Sequence, residues 1–454
     1  MTQAYKKAVW EQINWDEVHK EAIEYLRALI RFETVNPPGN EKPAAEYIAD
    51  ILRDEGLAPE LFESAENRAN MVCRIPGSGQ APPLLLNGHL DVVPAESDQW
   101  RFPPFEAREK DGWIYGRGAV DMKNMVVMCL MCMLLVKRTQ LPLERDLIFA
   151  AVADEEAGGQ YGAKFMVDNH PEKVQAEYSI SEIGGFSMEM AGRNVYPVQV
   201  AEKGVCWLNL KTTGDPGHGS IPDPQSAPAK AAKIAHQLAS RRLPHHKTEV
   251  TELFFKKLAR QLGFPKSLVM RMLLNPMLSG FIIDKVLQDR STAMIFAAML
   301  HNTANPTVLR AGVKTNVVPS TAIVEVDGRV LPGFSSVDFI REVRNIVGDN
   351  AEIEIKSDMT PTVAPADDPI VDTMTRALLR HDPSAVILPA LTTGFTDAGH
   401  WKKLGMKCYG FSPLKLPPDV AFKSLIHGHD ERIPIEGFKF GLRVLFETVA
   451  ETVA

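Results

Sequence analysis

The run Leu147-Ile-Phe-Ala-Ala-Val-Ala153 contains no polar residue and leads straight into Asp154, Glu155 and Glu156, with Gly158 and Gly159 just beyond. An unbroken apolar run of this length, bounded by turn residues, reads as a strand buried on both faces. Three acids at the end of such a strand repel one another and are costly unless cations compensate them. The plain alternative, a solvated acidic turn, is weakened by the apolar run before it and the glycine pair after it. Two further runs end the same way: PLLLN leads into His89 and Asp91, and YSIS into Glu182. Strand patterns at 71–75, 83–87, 146–153 and 178–180 alternate with helical ones at 42–55, 123–137 and 161–169. That alternation implies an α/β fold with a mostly parallel sheet. In such sheets ligands bind beyond the carboxyl ends of the strands, where these residues stand.

Histidine and carboxylate together are the donors a hydrolytic zinc site uses. His89 and Asp91 are two residues apart, so in an extended segment their side chains point the same way. An imidazole ligand oriented by a neighbouring carboxylate fits that spacing. Asp121 follows Gly116-Arg117-Gly118 at the start of a helical pattern. A helix cap is its ordinary use, and a carboxylate in that turn is also free to bridge two cations. In Asp154-Glu155-Glu156 one acid can hold metal while its neighbour takes a proton from water. IHGHDER adds His427 and His429 late in the chain. The set is large enough for two metals.

Composition sets bounds around this chemistry. At 454 residues with 45% hydrophobic and 24% charged residues, the chain is an ordinary globular protein of more than one domain. A net charge of −7 without a basic cluster argues against nucleic acid. The N-terminus reads as amphipathic helix rather than signal peptide, and the longest apolar run, 125–136, falls short of the ~20 residues a membrane span needs. These features and the five cysteines place the protein in the cytoplasm, with no membrane partner. Cys129 and Cys132 form a C-x-x-C, but inside an apolar helical run they read as buried thiols. The G-R-G segment lacks the third glycine of a dinucleotide loop, which removes an oxidoreductase reading.

The organisation is a catalytic domain in two parts, 1–204 and 358–454, with a small α+β domain inserted at 205–357. Strands are expected from 205, at 321–331 and at 352–357, with helices at 226–240 and 336–347. The catalytic part resumes with a helix at 370–381, a strand at 408–411 and a last helix at 435–452. Within the insertion, 251–300 is unusually apolar. It reads first as a helical pair packed on the small domain or at a dimer interface, and second as the lining of a pocket for a hydrophobic group.

The ordered motifs H-x-D, G-x-G-x-x-D-x-K, D-E-E-x-G-G, a further Glu and a late His resemble one di-zinc metallopeptidase family. Its members include aminoacylases, acetylornithine deacetylase, succinyl-diaminopimelate desuccinylase and bacterial glutamate carboxypeptidases. The resemblance covers nearly the whole chain. It implies that His89 and Glu182 hold one zinc and Glu156 and His427 the other. Asp121 would bridge both, Asp91 orient His89, and Glu155 act as general base, with the Asp121–Met122 bond in cis. The family's late ligand stands four residues before a Glu, here Glu431, which selects His427 over His429. The inserted domain resembles the family's ferredoxin-like lid and dimerisation domain. There His218 would reach the partner subunit's site in a homodimer and polarise the scissile carbonyl. Asn316 and Arg329 resemble binders of a substrate carboxylate or oxyanion, and Gly394 belongs to a segment resembling the substrate loop. Two departures stand out: Gly399 where many members have Arg, and Ser181 where an acid commonly precedes the Glu.

The implied reaction is cleavage of an amide bond in a small N-acyl amino acid or peptide by zinc-activated hydroxide, with cobalt or manganese as possible replacements. Lid closure implies a hinge near 203–205 and 357–363. The apolar insert favours a hydrophobic substrate. A dipeptidase or carboxypeptidase is the near alternative, and a silent member that only binds a ligand is the distant one.

Overall fold

The structure, a computed structural model, describes residues 12–190 and 192–454. Part of the expected N-terminal amphipathic helix, residues 1–11, lies outside the described residues; the remainder contributes to the Trp15–Arg31 helix. The chain forms two compact units. One comprises residues up to Val200 with Ala364–Pro389 and Thr396–Ala454, the other Ala201–Val363 with Ala390–Phe395.

In the first unit the strands Leu84–His89 and Leu147–Val152 are buried at every residue, as the unbroken apolar sequence of Leu147–Val152 requires. They run parallel to each other, and Leu84–His89 is parallel to Tyr178–Ser181, which is parallel to Lys407–Gly410. Antiparallel strands flank this parallel centre: Arg68–Ile75 with Glu60–Ala65 on one side, Arg193–Glu202 on the other. The sheet is therefore mixed, parallel where the acid-bearing strand ends lie. Helix Lys123–Arg138 is buried from Lys123 to Val136 and packs against the sheet and against the Trp15–Arg31 and Ile435–Val453 helices. Burial explains why it lacks a polar face. It holds Cys129 and Cys132 as inert thiols, both pushed well above the ordinary thiol range by that burial.

The second unit shows the opposite sequence pattern. Thr321–Val330 alternates buried with less buried residues along its length, the mark of a sheet with one covered face. It pairs antiparallel with Thr303–Ala311 and Gly204–Thr213, and the latter pairs with Glu352–Met359. Helices Ala227–Ser240 and Ser336–Val347 complete a strand-helix-strand-strand-helix-strand order, the ferredoxin-like arrangement. Leu208, Leu210, Val324, Val326, Phe339 and Val343 form its core. This unit reaches four residues further upstream and six further downstream than the expected 205–357, and it takes in the Ala390–Phe395 segment.

The apolar stretch 251–300 differs from the expected helical pair. It is a series of short pieces: Glu249–Gln261, Lys266–Met272, Pro276–Phe281, a π-helical turn Ile282–Val286, and Arg290–Leu300. Pro265 and Pro276 lack the amide hydrogen that a continuous helix needs, so the pattern breaks at both. Phe254, Phe255 and Phe296 pack edge to face beneath the pieces.

Candidate metal centre

His89 is the last residue of its strand and is buried. Its Nδ1 lies 2.9 Å from the main-chain oxygen of Asp91, so Nδ1 carries the hydrogen and Nε2 presents a lone pair. That Nε2 lies 3.2 Å from Asp121 Oδ1, 3.7 Å from Glu182 Oε2 and 4.0 Å from Glu155 Oε2. The other Asp121 oxygen, Oδ2, lies 3.1 Å from His427 Nε2, which is also 3.3 Å from Glu156. One carboxylate thus faces two imidazoles, one with each oxygen. His89, Asp121 and Glu156 offer ligand atoms within 4.8 Å of one another, and so do His89, Glu155 and Glu182. The Asp121–Met122 peptide is cis. His429 stands apart from the cluster, with its Nε2 3.2 Å from Glu96.

The charges in this cluster do not balance. Among the described residues no Lys or Arg makes an ion pair with Asp121, Glu155, Glu156 or Glu182. Burial, followed by the Glu182 charge, pushes Glu155 well above the usual carboxylate range. Burial likewise raises Glu182, to about 7. Asp121 moves the other way: its burial alone would raise it, but the His427 and His89 imidazoles beside its two oxygens outweigh that. Hydrogen bonds to Asp121 and Glu156 raise His427 to about 10. Three buried acids and the half-buried Glu156 converging on two imidazoles form a nitrogen and oxygen donor set suited to divalent cations such as zinc. Asp154 is compensated differently: Arg68 Nη1 lies 3.0 Å from it. Only two of the three consecutive acids therefore belong to the cluster.

A surrounding layer fixes these groups. Asp91 accepts the amide hydrogens of Glu155 at 3.0 Å and Glu156 at 3.1 Å, and one from Asn36 Nδ2 at 2.8 Å. Asn36 also donates to Asp154 at 2.9 Å. Asn36 carried no signal in the sequence, since its partners lie 55 and 118 residues away. Glu431, noticed only as a landmark for His427, is fully buried against the Asp121 turn. Asp397 is also buried, with Oδ2 unpartnered, and burial holds it well above the usual range. Gly410 lies against the Glu182 loop, where an added Cβ would come 2.3 Å from the Glu182 carbonyl oxygen. Asp154, Ile183 and His427 all adopt left-handed backbone, with φ of 70°, 59° and 54°. Non-glycine residues in that region gather at functional sites.

With the cluster in view, the comparisons have a structural counterpart. The family model for peptidase family M20/M25/M40 matches residues 85–451, the whole span from His89 to His427. The chain belongs to peptidase family M20/M25/M40. Across an M20 relative, the N-fatty-acyl-amino acid synthase/hydrolase PM20D1 of Homo sapiens, it is 30% identical over 383 residues, covering 81% of this chain and 73% of that protein. It is 26% identical to aminoacylase-1 of Homo sapiens over 420 residues, covering 91% and 90% of the two chains. The M20 metallo-carboxypeptidase Sso-CP2 of Sulfolobus solfataricus superposes with a TM-score of 0.70 at 19% identity, over 95% and 98% of the two chains. Membership of M20 makes the protein an amide-bond hydrolase.

The second unit of this M20 chain carries the remaining expected residues in two groups. The short strand Gly217–His218 pairs with Val317–Val318, and the Asn316 carbonyl accepts the Gly219 amide at 2.9 Å. His218 is exposed, its Nδ1 2.8 Å from Ser220 Oγ. Arg329 donates through Nε to Asp327 at 2.7 Å and lies 5.2 Å over the Phe395 ring, next to Gly394. Its Nη1 is buried without a partner.

Proposed function

We propose that this protein hydrolyses N-acyl amino acids that carry a hydrophobic acyl group, using two zinc ions and Glu155 as general base. The observation that carries the reading is Asp121, whose two oxygens face His89 at 3.2 Å and His427 at 3.1 Å. His89 and Glu182 would hold one ion, Glu156 and His427 the other, with Asp121 shared. When bound, such a pair supplies an activated water and polarises the amide carbonyl. Glu155 is buried and takes part in no hydrogen bond among the described residues through its carboxylate, so it is free to take the water's proton and return it to the leaving nitrogen. Asp91 holds the Glu155 and Glu156 amides and so keeps base and ligand in place. Arg329 and Asn316, with the Gly394 turn, would bind the substrate's carboxylate. His218 would stabilise the developing oxyanion from the partner subunit of a homodimer built through the second unit. The acyl preference is supported by the similarity to PM20D1, an N-fatty-acyl-amino acid synthase/hydrolase. The five cysteines, none of them in a disulfide, support a cytoplasmic setting.

The test is Glu155→Gln. The variant should bind two metal equivalents, by elemental analysis, and lose at least ~100-fold in kcat on N-acyl amino acids. Turnover near that of the parent protein would refute the assignment of the base, and metal loss would make Glu155 a ligand instead.

A further inference from the structure

Nineteen large apolar side chains stand out as exposed among the described residues, and eight of them fall between residues 264 and 295. Phe264 is 85% exposed, Met277 86%, Phe281 63% and Met294 57%. A soluble helix needs one apolar face; Glu249–Gln261 and Arg290–Leu300 already have theirs, whereas Lys266–Met272 buries only Met270 and Pro276–Phe281 only Ser279. Phe254, Phe255, Ile282, Ile283 and Phe296 are buried inward. The Pro276–Phe281 helix touches the Ile282–Val286 turn, which touches the Arg290–Leu300 helix, so Met277, Phe281 and Met294 sit on adjoining pieces. A second, outward apolar set on such pieces marks a surface that something covers.

Charge says what covers it. Residues 251–300 hold seven Lys or Arg against three Asp or Glu, a net charge of +4 in a chain of −7. Arg260, Lys266, Arg271 and Lys285 are exposed and form no ion pair among the described residues. Arg241 and Arg290 line a nearby cavity of about 680 Å³ together with Ile283, Leu287 and Met294, so cationic and apolar lining meet at one edge. Two copies meeting through this face would set like charge against like. An anionic lipid surface answers both halves of the pattern, since apolar side chains enter the headgroup boundary while Lys and Arg pair with phosphate.

We propose that the 264–295 face docks the protein peripherally on an anionic phospholipid membrane. This goes beyond the expectation of no membrane partner, which rested on the lack of a spanning segment; among the described residues no helix is long and apolar enough to cross a membrane. The proposal stands on the insert alone. Where the catalytic reading also holds, docking brings the enzyme to amphiphilic substrates that partition into the bilayer.

The experiment is co-sedimentation of the full chain with vesicles of phosphatidylcholine containing about 30% phosphatidylglycerol, against vesicles of phosphatidylcholine alone. The anionic vesicles should carry the protein down, and raised salt should weaken that binding. Lys266→Glu with Arg271→Glu should weaken it roughly 30-fold. Phe264→Ser with Met277→Ser and Phe281→Ser should weaken it at least ~10-fold with circular dichroism and molar mass unchanged. No sedimentation with anionic vesicles, or equal sedimentation with both kinds, overturns the proposal. A fall in molar mass in the triple variant with vesicle binding intact assigns the face to a contact between copies and overturns it too. Hydrolysis of a short-chain, fully soluble N-acyl amino acid is unchanged in these variants, so docking and catalysis fail independently.

Discussion

Glu431 holds the Asp121 turn from beneath: its Oε1 accepts the Asp121 amide hydrogen at 3.1 Å and the Val120 amide hydrogen at 2.7 Å. Its other oxygen accepts from the Gly118 amide at 3.0 Å and from Arg117 Nη1 at 2.8 Å. Glu431 stands four residues after His427. The two proposed ligands that come closest through Asp121 Oδ2 are therefore tied to one buried carboxylate by main chain and side chain alike. Glu431→Gln keeps the shape but replaces one acceptor with an amide group that opposes the N–H donors around it. Metal affinity should fall about 10- to 100-fold with the fold retained. Competition with a chromogenic chelator measures this, and an unchanged affinity would show that the turn holds itself.

Asp91 has a comparable task on the other side of the cluster. With both oxygens engaged by the Glu155 and Glu156 amides and by Asn36, it anchors the turn that carries the proposed base and the proposed ligand. Removing it leaves two buried amide hydrogens without partners, at about 1–3 kcal/mol each. Asp91→Ala should lose ~100-fold or more in kcat. Asp91→Asn, whose amide oxygen can accept one of these hydrogens, should recover part of it. If both variants turned over like the parent protein, the anchoring role would be wrong.

The titration of His19 gives a stability prediction away from the cluster. His19 is buried beside Trp15, with Nε2 unpartnered; burial, followed by the Arg443 charge, lowers it to about 4. The native state therefore leaves His19 neutral over a range where the unfolded chain, with an ordinary pKa near 6.5, binds a proton. Stability from this group is complete above pH ~6.5 and is lost as pH falls towards 4, by about 3 kcal/mol in total. His19→Leu should flatten this portion of the profile. Denaturant midpoints at pH 7 and pH 5 test it: the parent protein should lose more stability between them than the variant.

How much of this was legible in the sequence depends on whether the signal was local. The strands leading to His89, Glu155 and Glu182 announce themselves because short, largely apolar runs buried on both faces give way abruptly to charged or imidazole side chains. Asp121 and His427 were legible through ordered motifs that resemble a known family. Asn36 and Glu431 were not, because a polar residue becomes a positioning group only when distant chain meets it, and spacing carries no trace of that. The 251–300 stretch misled in another way. Its apolar content predicted burial, whereas the prolines divide it into pieces too short to hide both their faces.

The last relationship concerns how the Glu182 and His427 loops are held together. Phe186, four residues after Glu182, stacks on Phe422, five residues before His427, with ring centroids 3.7 Å apart and planes within 5°. His427 itself is exposed and sits in left-handed backbone. Rings this close lie face to face rather than offset, so the pair is worth at most about 1.5 kcal/mol beyond its burial, a factor of up to roughly 12 in an equilibrium constant. Phe422→Ala should therefore weaken, by up to that factor, binding of the metal that His427 and Glu156 are proposed to hold. The metal proposed for His89 and Glu182 should be affected less, since the His89 ring is fixed at the end of its strand by the Asp91 carbonyl. A two-step metal titration separates the two sites, and Phe422→Tyr, which keeps the stack, should restore the weaker one. Equal weakening at both sites would mean that the stack supports the whole cluster rather than the His427 loop.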